Sequence, residues 1–395
     1  MVSKKKIIFI NQVAGYLFID IINSFADEYD CTLYTGSIDN ANVLPDKNVR
    51  VRKFIRYNRN IAVKRVFTWS VFTLQVFFRL LFTKKTVELF IVSNPPFVPF
   101  IGYLFKKLKG TKYHLLIYDL YPDVLVKFGM ISKNGFINKY WSNFNKKLFS
   151  NAEMVFTLSD NMSTMIKEYQ RIPVEVISNW AHTTFIKPVK KEENAFAHEH
   201  NQVDKITVMY SGNMGATHAI EKVAELALHF KPNNDFGFIA IGDGHKKVSI
   251  TEMKKEYNLD NLLILPYQPA DILPLSLTCA DIGIVTLSSG AEDLSVPSKT
   301  YNLLAAGVAL LVIASAQSEL ARLINQYECG VQFEENNIEG MILFLEKIKG
   351  DSAYLQQLKN NSRKASSHFT PANAKLYKKH INNKSHVPQS AETII

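Results

Sequence analysis

Short runs of apolar, β-branched residues alternate with longer helical stretches along the whole of this chain of 395 residues. In the second half these runs begin at residues 206, 236, 262, 282 and 309, which is the spacing of consecutive strand–loop–helix units. A parallel strand can follow its neighbour only after a crossover, which is usually a helix. The alternation therefore predicts an α/β fold with a parallel sheet in each half, that is, two Rossmann-like domains.

The two series of predicted strands are separated by residues 187–205, which are polar and show no apolar periodicity. We therefore predict an N-terminal domain over residues 1–186, an interdomain linker over 187–205 and a C-terminal domain over 206–368. Residues 369–395 are predicted to form a last helix and a tail, because Pro371 suits the first turn of a helix.

The chain has the pattern of a cytoplasmic protein. Its three cysteines are far apart in sequence, so neither a disulfide framework nor a zinc site is predicted. The longest apolar stretch, Val66 to Phe78, is too short to cross a bilayer. The apolar run after Lys6 is too short for a signal peptide. We therefore expect no transmembrane helix.

All of the excess positive charge lies in one stretch, residues 47–87, which we call the basic window. The chain carries 46 basic and 36 acidic residues, a formal net charge of +10. The basic window contains 11 basic residues, eight aromatic residues and no acidic residue, so the rest of the chain is close to neutral. Basic and aromatic residues together indicate an anionic, partly apolar partner surface, such as a membrane or a nucleic acid.

Residues 66–82 within the basic window are apolar on nearly every face of a helix, which leaves three interpretations open. The helix is buried in the core, or it lies in a membrane interface, or it binds nucleic acid. No recognition motif accompanies the charge, so we expect a membrane partner and no nucleic acid. This interpretation places the protein at a membrane surface.

The most informative loop follows the predicted strand that begins at residue 206. It contains Ser211, Gly212, Asn213 and Gly215, and it opens a helix. Small residues allow a ligand to approach the backbone closely, and a helix N-terminus presents unpaired N–H groups to an anion. An ordinary strand-to-helix turn has the same composition, so this loop alone leaves both a phosphate site and a simple turn open.

A second glycine-containing loop ends the next predicted strand, where open α/β sheets place their ligands. It contains Gly242, Asp243 and Gly244, and it is followed by Lys246, which could bind a phosphate as a point charge. The alternative is a turn with exposed lysines.

A third candidate site lies at the start of a predicted helix. Pro297 suits the first turn, where Ser298, Lys299 and free N–H groups can converge on a diphosphate. Asn302, one turn later on the same face, is placed to reach a ribose hydroxyl. A capped core helix is the alternative, but three such loops at successive strand ends together indicate a nucleotide diphosphate.

The order of the three loops, Ser-Gly-Asn-Met-Gly, Gly-Asp-Gly and Pro-Ser-Lys-Thr-Tyr-Asn-Leu-Leu-Ala-Ala-Gly, resembles the family 4 glycosyltransferases of GT-B architecture. The similarity is strongest to the bacterial branch that builds capsule, colanic-acid-like and O-antigen polysaccharides, including L-fucosamine transferase-like proteins. It implies two Rossmann-like domains facing a central cleft, with a C-terminal helix that returns toward the N-terminal domain.

The resemblance also implies the reaction. A sugar, an N-acetylated hexosamine or deoxyhexosamine, would be moved from a UDP-sugar to a lipid-linked glycan acceptor with retention at the anomeric carbon. The lipid would be a polyprenyl diphosphate, and the helix of the basic window would recruit it at the inner face of the bacterial plasma membrane. No cofactor is implied. The chain has no Asp-x-Asp triplet, so a metal-bridged diphosphate is not expected either.

In the C-terminal half the resemblance assigns the donor contacts. Lys299, with Lys246 as a second cation, would stabilise the charge that develops on the leaving diphosphate. Glu292 or Asp293 would contact hydroxyls of the donor sugar. The other residues assigned to the donor are Ser211, Gly212, Asn213, Gly215, Gly242, Asp243, Gly244, Tyr267, Gln268, Pro297, Ser298 and Asn302.

In the N-terminal half the resemblance singles out Gly15 and Asp119. Gly15 ends a loop that in relatives faces donor and acceptor. Asp119 stands in the segment Tyr118–Asp123, which is similar to the family's Asp-Leu-Trp-Pro segment, and it would orient the acceptor hydroxyl or accept its proton. The alternative for Asp119 is a helix cap or a turn carboxylate.

Two departures from the family pattern leave other classes open. Asn213 stands where many relatives carry an Arg, and Asn302 stands where many carry the second of two glutamates. A catalytically silent nucleotide-sugar-binding protein would fit these changes. A UDP-sugar 2-epimerase can share the architecture, but it would need acidic and histidine residues around C2 and no lipid-facing surface.

Overall fold

The computed structural model describes residues 4–39, 43–58, 61–215, 218–287 and 297–385. The chain divides into two compact units. Unit 1 comprises Met1–Ser178 together with Pro371–Ile395, and unit 2 comprises Asn179–Thr370.

Unit 1 begins with alternating strands and helices. In chain order they are β1 (Lys5–Ile10), β2 (Val13–Ala14), α1 (Tyr16–Phe25), β3 (Tyr29–Thr35), β4 (Ser37–Ile38), β5 (Arg50–Lys53), α2 (Ala62–Leu81), β6 (Glu88–Val92), α3 (Val98–Lys109), β7 (Tyr113–Ile117), α4 (Asp123–Lys127), α5 (Phe136–Asn151), β8 (Met154–Thr157), α6 (Asp160–Tyr169) and β9 (Glu175–Val176). Seven strands form one parallel sheet in the order β5-β3-β1-β6-β7-β8-β9, and β2 pairs with β4 apart from it. The central strands are continuous apolar runs because helices cover both faces of a parallel sheet.

Unit 2 repeats this architecture with six parallel strands. Its elements are α7 (Ala195–Glu199), β10 (Ile206–Ser211), α8 (Glu221–His229), β11 (Phe236–Ile241), α9 (Lys247–Glu256), β12 (Leu262–Leu265), α10 (Leu273–Thr278), β13 (Ile282–Thr286), α11 (Lys299–Ala306), β14 (Ala309–Ile313), α12 (Glu319–Tyr327), β15 (Gly330–Phe333), α13 (Ile338–Gly350) and α14 (Ser352–Ala365). The sheet order is β12-β11-β10-β13-β14-β15. This is the Rossmann order, in which the direction of winding reverses between the first and the fourth strand.

The stretch predicted as a linker, residues 187–205, is a folded part of unit 2, and unit 2 already begins at Asn179. Asn194 accepts hydrogen bonds from the backbone of α7 and donates one to the carbonyl of Leu275. Lys191 forms an ion pair with buried Asp281. The side chains of Lys191 and Asn194 thus satisfy buried partners rather than water, and composition alone does not distinguish these two uses.

The last helix, α15 (Ala372–Ser385), belongs to unit 1, as the sequence predicted. It packs against α1: Ser24 Oγ donates a hydrogen bond to the carbonyl of Ala374 at 3.2 Å, and Lys378 Nζ lies 2.8 Å from Asp27 Oδ1. Tyr377 is buried against Phe90 and Phe156 of the sheet. The chain therefore leaves unit 1, completes unit 2 and returns to unit 1.

Candidate functional site

The first two predicted loops lie side by side at the carboxyl edge of the unit 2 sheet. The loop after β10 and the loop after β11 interlock, since Met214 N donates to the carbonyl of Asp243 and Lys246 N donates to the carbonyl of Met214, both at 2.9 Å. A Cβ atom on Gly242 would lie 1.9 Å from Gly212 O, and one on Gly244 would lie 2.6 Å from Met214 O. The glycines are thus required by loop-to-loop packing, a reason that the sequence did not reveal.

These loops stand at the switch point of unit 2. β10 and β13 are neighbours in the sheet although two strands separate them in the chain. Open α/β sheets bind ligands at the carboxyl ends of the strands where the winding reverses. The first loop begins at Ser211, the last residue of β10. Ala219 N, after this loop, donates to Thr286 Oγ1 at the end of β13, so a hydrogen bond connects the two strands that flank the switch point.

Lys299 is the first residue of α11, and its ammonium group is buried beside the first loop. Nζ lies 3.7 Å from the centroid of the Tyr210 ring, and a Cβ on Gly212 would be 3.3 Å from it. Within the described ranges Nζ has no hydrogen-bond partner. Burial lowers the pKa of Lys299 to about 7. The contact with the aromatic face offsets only part of the desolvation cost, so the site favours an incoming anion.

Lys246, the second predicted cation, has a different environment. Its Nζ donates to the carbonyl of His218 at 2.9 Å and lies 3.1 Å from Glu221 Oε2. Its charge is therefore compensated within the protein. Burial, helped by the charges of Lys299 and Lys246, lowers the pKa of His218 to about 4, so this ring is neutral at neutral pH. Of the two predicted cations, Lys299 is the one without a counter-ion among the described residues.

The other residues of unit 2 that the resemblance assigns to the nucleotide-sugar donor lie in these loops, on α11 or after β12. Ser298 is exposed directly before α11, and its side chain does not cap that helix. Asp243 accepts a hydrogen bond from the backbone of Gly244 at 3.0 Å. Tyr267 is largely exposed beyond β12. The other positions are Gly215 in the first loop, Pro297 before α11, half-buried Asn302 on α11 and Gln268, which donates to Pro266 O. Glu292 and Asp293 lie outside the described residues.

Two residues of this site were missed by the sequence analysis. The ring of Tyr210 packs against the ammonium group of Lys299, and its hydroxyl donates to the carbonyl of Asn213. Thr300 Oγ1 is buried and has no hydrogen-bond partner among the described residues. Tyr210 directly precedes Ser211, and Thr300 lies within the third motif, so both were within reach of the sequence analysis although it gave neither a role.

In unit 1 the residue Asp119 lies in an aromatic pocket at the end of β7. Ser93 Oγ, at the end of β6, accepts hydrogen bonds from the backbone N–H groups of Tyr118 and Asp119, at 2.9 and 3.1 Å. Tyr121 and Trp141 line the same pocket, with ring centroids 6.1 Å apart. Ser93 therefore fixes the turn that carries the carboxylate.

The carboxylate of Asp119 has no cation or hydrogen-bond donor in contact with it among the described residues. Burial raises the pKa of Asp119 to about 6. The alternative interpretation as a helix cap is wrong, because α4 begins after Pro122 and has no side-chain cap. Gly15, the other predicted residue of unit 1, precedes α1, and a Cβ there would meet no atom within 4 Å.

Helix α2 carries the apolar part of the basic window. Phe72, Val76 and Leu80 are fully buried on one side. On the opposite side a line of residues is exposed by 55% to 82%, and we call it the α2 stripe: Val63, Phe67, Leu74, Phe78 and Phe82. The interpretation of α2 as a fully buried helix is therefore wrong. Within the described ranges no helix is long and apolar enough to span a membrane.

Unit 1 exposes a second group of apolar side chains, between α4 and the first turns of α5, which the sequence analysis did not identify. We call it the α5 cluster: Phe128, Met130, Phe136, Ile137 and Tyr140. Tyr140 directly precedes Trp141 of the Asp119 pocket. No short-range motif marks this cluster.

The fold and the site define a class of protein. Two Rossmann-like parallel sheets, one of which has interlocked glycine loops and a buried lysine at its switch point, are the GT-B architecture. Residues 190–365 match the family described as Glycosyl transferases group 1. Residues 190–365 are therefore a glycosyl transferases group 1 domain, and the predicted α/β fold with two Rossmann-like domains and the resemblance to family 4 glycosyltransferases of GT-B architecture are confirmed.

Relatives of known sequence and structure agree. The chain is 25% identical over 315 residues to "Probable glycosyltransferase WbjE" of Pseudomonas aeruginosa, covering 78% of this chain and 77% of the relative. It is 28% identical over 246 residues to "Putative colanic acid biosynthesis glycosyl transferase WcaI" of Escherichia coli K12, covering 60% of each. The crystal structure of Anabaena Alr3699/HepE in complex with UDP-glucose superposes with a TM-score of 0.74 at 13% identity, covering 96% of this chain and 99% of that one.

Proposed function

We propose that this glycosyltransferase moves a sugar from a UDP-sugar to a lipid-linked glycan acceptor during synthesis of a bacterial cell-surface polysaccharide. The observation that carries the proposal is the buried ammonium of Lys299, which has no counter-ion among the described residues and lies beside the Gly212 loop. A diphosphate is the anion that glycine loops and helix N-termini at a switch point accommodate.

Lys299 acts on the leaving group. As the bond between the sugar and the diphosphate breaks, negative charge grows on the diphosphate, and a preorganised cation in a dry site stabilises it. The N–H groups at the start of α11 add their partial positive charge. Binding of the diphosphate supplies the missing counter-ion, so the pKa of Lys299 rises on binding and its ammonium form persists during turnover.

Asp119 acts on the acceptor. A carboxyl group with a pKa near 6 is ionised at neutral pH but accepts a proton more readily than an ordinary Asp. We propose that it accepts the proton of the acceptor hydroxyl. The residues that line its pocket contribute no other carboxylate, so the paired carboxylates of retaining glycosidases are not available there. We therefore favour same-face departure and attack within an ion pair for a retaining transfer.

The choice of UDP as the donor's nucleotide is supported by the fold shared with HepE, whose structure contains UDP-glucose. The choice of polysaccharide synthesis, of O-antigen or capsule type, is supported by the similarity to WcaI, which is named for colanic acid biosynthesis. An N-acetylated hexosamine or deoxyhexosamine remains our proposal for the sugar. That the reaction needs no metal ion also remains our proposal, and it rests on the lack of an Asp-x-Asp triplet in the sequence.

The lipid-linked acceptor and the membrane are proposed from the surface of unit 1. The α2 stripe combines exposed aromatic side chains with the positive charge of the basic window, the composition of a helix that lies in a membrane interface. The α5 cluster adds exposed apolar side chains next to the pocket of Asp119. An acceptor on a polyprenyl diphosphate is the substrate that such a surface suits, at the cytoplasmic face of the plasma membrane.

The test is mass spectrometry of lipid-linked products after a panel of UDP-sugars is offered with a lipid-linked acceptor. We expect the acceptor to gain the mass of one sugar, and no gain for the Lys299→Met variant. An altered UDP-sugar without transfer would instead identify an epimerase. Binding of UDP with neither reaction would identify a silent binding protein, and either result would refute the proposal.

A further inference from the structure

Unit 1 has a second cavity, which shares no lining residue with the pocket of Asp119. It lies over one face of the neighbouring strands β1, β3 and β5 and is closed by the end of α2. The strand register places Lys6 beside Asp30 and Arg50 beside Thr32, so alternate side chains share this face. We call it the β5 groove, and its volume is about 240 Å³.

The β5 groove is strongly cationic. Its charged lining residues are Lys6, Asp30, Arg50, Arg52, Arg79 and Lys84. Arg50 is paired with Asp30 at 2.6 Å and donates to Thr32 Oγ1 at 3.3 Å. Arg52, Arg79 and Lys84 have no acidic partner in the part of the chain that the structure describes. Several positive charges around one cavity repel one another unless an anion joins them.

The kind of anion follows from the cations. Arginine presents a planar fork of N–H donors that matches the oxygens of a phosphate, and three of the five basic residues are arginines. The cavity is smaller than the roughly 300–1,000 Å³ of pockets for drug-sized ligands, which suits a phosphate group rather than a whole nucleotide.

The source of the phosphate follows from the neighbouring surface. Arg79 comes directly after Phe78 of the α2 stripe, and Lys84 comes two residues after Phe82. The cationic groove and the exposed aromatic side chains therefore meet at one end of α2. A free phosphate needs only the groove, whereas a phospholipid carries acyl chains beside its phosphate and matches both.

We propose that the β5 groove binds the phosphate of an anionic phospholipid while the α2 stripe enters the membrane interface. This inference rests on the membrane association proposed above and adds to it a defined headgroup site. Docking by such a site fixes the orientation of unit 1 on the bilayer, which a diffuse positive charge does not.

The test compares two triple variants by co-sedimentation with phosphatidylcholine vesicles, with and without phosphatidylglycerol. The groove variant is Arg52→Gln, Arg79→Gln, Lys84→Gln. The control variant is Lys53→Gln, Arg56→Gln, Lys85→Gln, which removes the same charge from the basic window outside the groove. Diffuse attraction, worth a factor of about five for each Lys or Arg at the surface, weakens both variants alike. We expect the groove variant to bind phosphatidylglycerol vesicles at least tenfold more weakly than the control.

Equal binding by the two variants would overturn the headgroup site and leave the membrane association standing. No sedimentation of the wild-type protein would overturn both. Glycerol 3-phosphate, titrated at constant ionic strength, separates the sources of phosphate: we expect it to displace the wild-type protein from vesicles. If calorimetry shows that glycerol 3-phosphate binds to the groove while the two variants bind vesicles equally, that result would show a site for a soluble phosphate and refute the phospholipid as the ligand.

Thermal unfolding of both variants checks that they fold. If the groove variant does not fold, the single changes Arg79→Gln and Lys85→Gln replace the triple variants, because both side chains are exposed and neither has an ion-pair partner in the described ranges. We then expect Arg79→Gln to bind at least threefold more weakly than Lys85→Gln, and equal binding would refute the site. Sugar transfer to a detergent-solubilised acceptor should keep its wild-type rate in the groove variant.

Discussion

Lys299 of unit 2 and Asp119 of unit 1 carry opposite charges in environments of the same kind. Each lies near the carboxyl edge of its parallel sheet, and burial brings both pKa values close to neutrality, to about 7 for Lys299 and about 6 for Asp119. Other buried charges are compensated inside the protein, as Asp281 is by Lys191 and Lys359. A buried charge without a counter-ion lowers the stability of the fold. Such charges are therefore found mainly at functional sites, where a ligand supplies the counter-ion.

The largest expected effect is that of Lys299→Met, which keeps the side-chain length and removes the charge. We expect kcat for sugar transfer to fall by about 10²–10³, because one preorganised contact to a developing anion is worth that much. UDP binding, measured by calorimetry, should weaken as well. The control is Lys255→Met on exposed α9, which should keep wild-type activity. A rate within threefold of wild type for Lys299→Met would show that Lys299 does not stabilise the leaving diphosphate.

The next effect is that of Asp119→Asn, which keeps the shape of the side chain and removes its basicity. We expect kcat to fall roughly a hundredfold, the lower range for general base catalysis. The affinity for UDP should not change, since the donor contacts that we assign belong to unit 2. Asp160→Asn, on the exposed start of α6, is the matched control. If UDP affinity fell together with kcat, Asp119 would be a donor residue rather than an acceptor residue.

The pH dependence sharpens the comparison because the two groups must be in opposite protonation states. Asp119 must be ionised, so kcat/KM should rise as the pH increases through about 6. Lys299 must be protonated, so kcat/KM should fall as the pH increases through about 7. The measured kcat/KM should therefore trace a narrow bell. In the profile of kcat the fall should move to higher pH, since bound diphosphate raises the pKa of Lys299.

Lys299→Arg provides the control for this profile, because a guanidinium stays charged over the whole range. We expect the fall at high pH to disappear in this variant while the rise near pH 6 remains. A fall that persists unchanged would assign it to another group.

The smallest expected effect is that of Lys246→Met. The ammonium of Lys246 is already paired with Glu221, so it has little charge to offer a diphosphate. We expect less than about a fivefold loss of kcat, in line with the modest worth of a partly exposed ion pair. A loss as large as that of Lys299→Met would show that Lys246 leaves Glu221 and binds the leaving group.

The sequence predicted those features of the site that short motifs of neighbouring residues encode. The sequence analysis recognised that the glycines of the first two loops allow a close approach to the backbone. In the structure the approaching group is the other loop, since the backbone of Gly212 contacts Gly242. The linker prediction failed because Lys191 finds its partner Asp281 at a distance of 90 residues in the chain. The compensation of Lys246 by Glu221, 25 residues away, was equally invisible.

The surface of unit 1 shows the same limit. The apolar character of residues 66–82 predicted a helix but did not say which side of it is covered. Phe72 is buried, and Phe78 is exposed in the structure, although both are phenylalanines of the same helix. The α5 cluster was missed for the same reason, because exposure depends on what the rest of the unit covers.

The sequence by itself determined the two parallel sheets, the three loops at their strand ends and the concentration of positive charge in residues 47–87. These properties are periodicities and short motifs, and neighbouring residues are enough to produce them. The tertiary structure alone decided that the ammonium of Lys299 is buried without a counter-ion, that Asp119 is partly buried with no cation in contact among the described residues, and that Lys246 has a counter-ion. It also gathered the cations of the β5 groove from two strands and the C-terminal end of α2. Burial and pairing are set by residues distant in the chain, and only the folded protein brings them together.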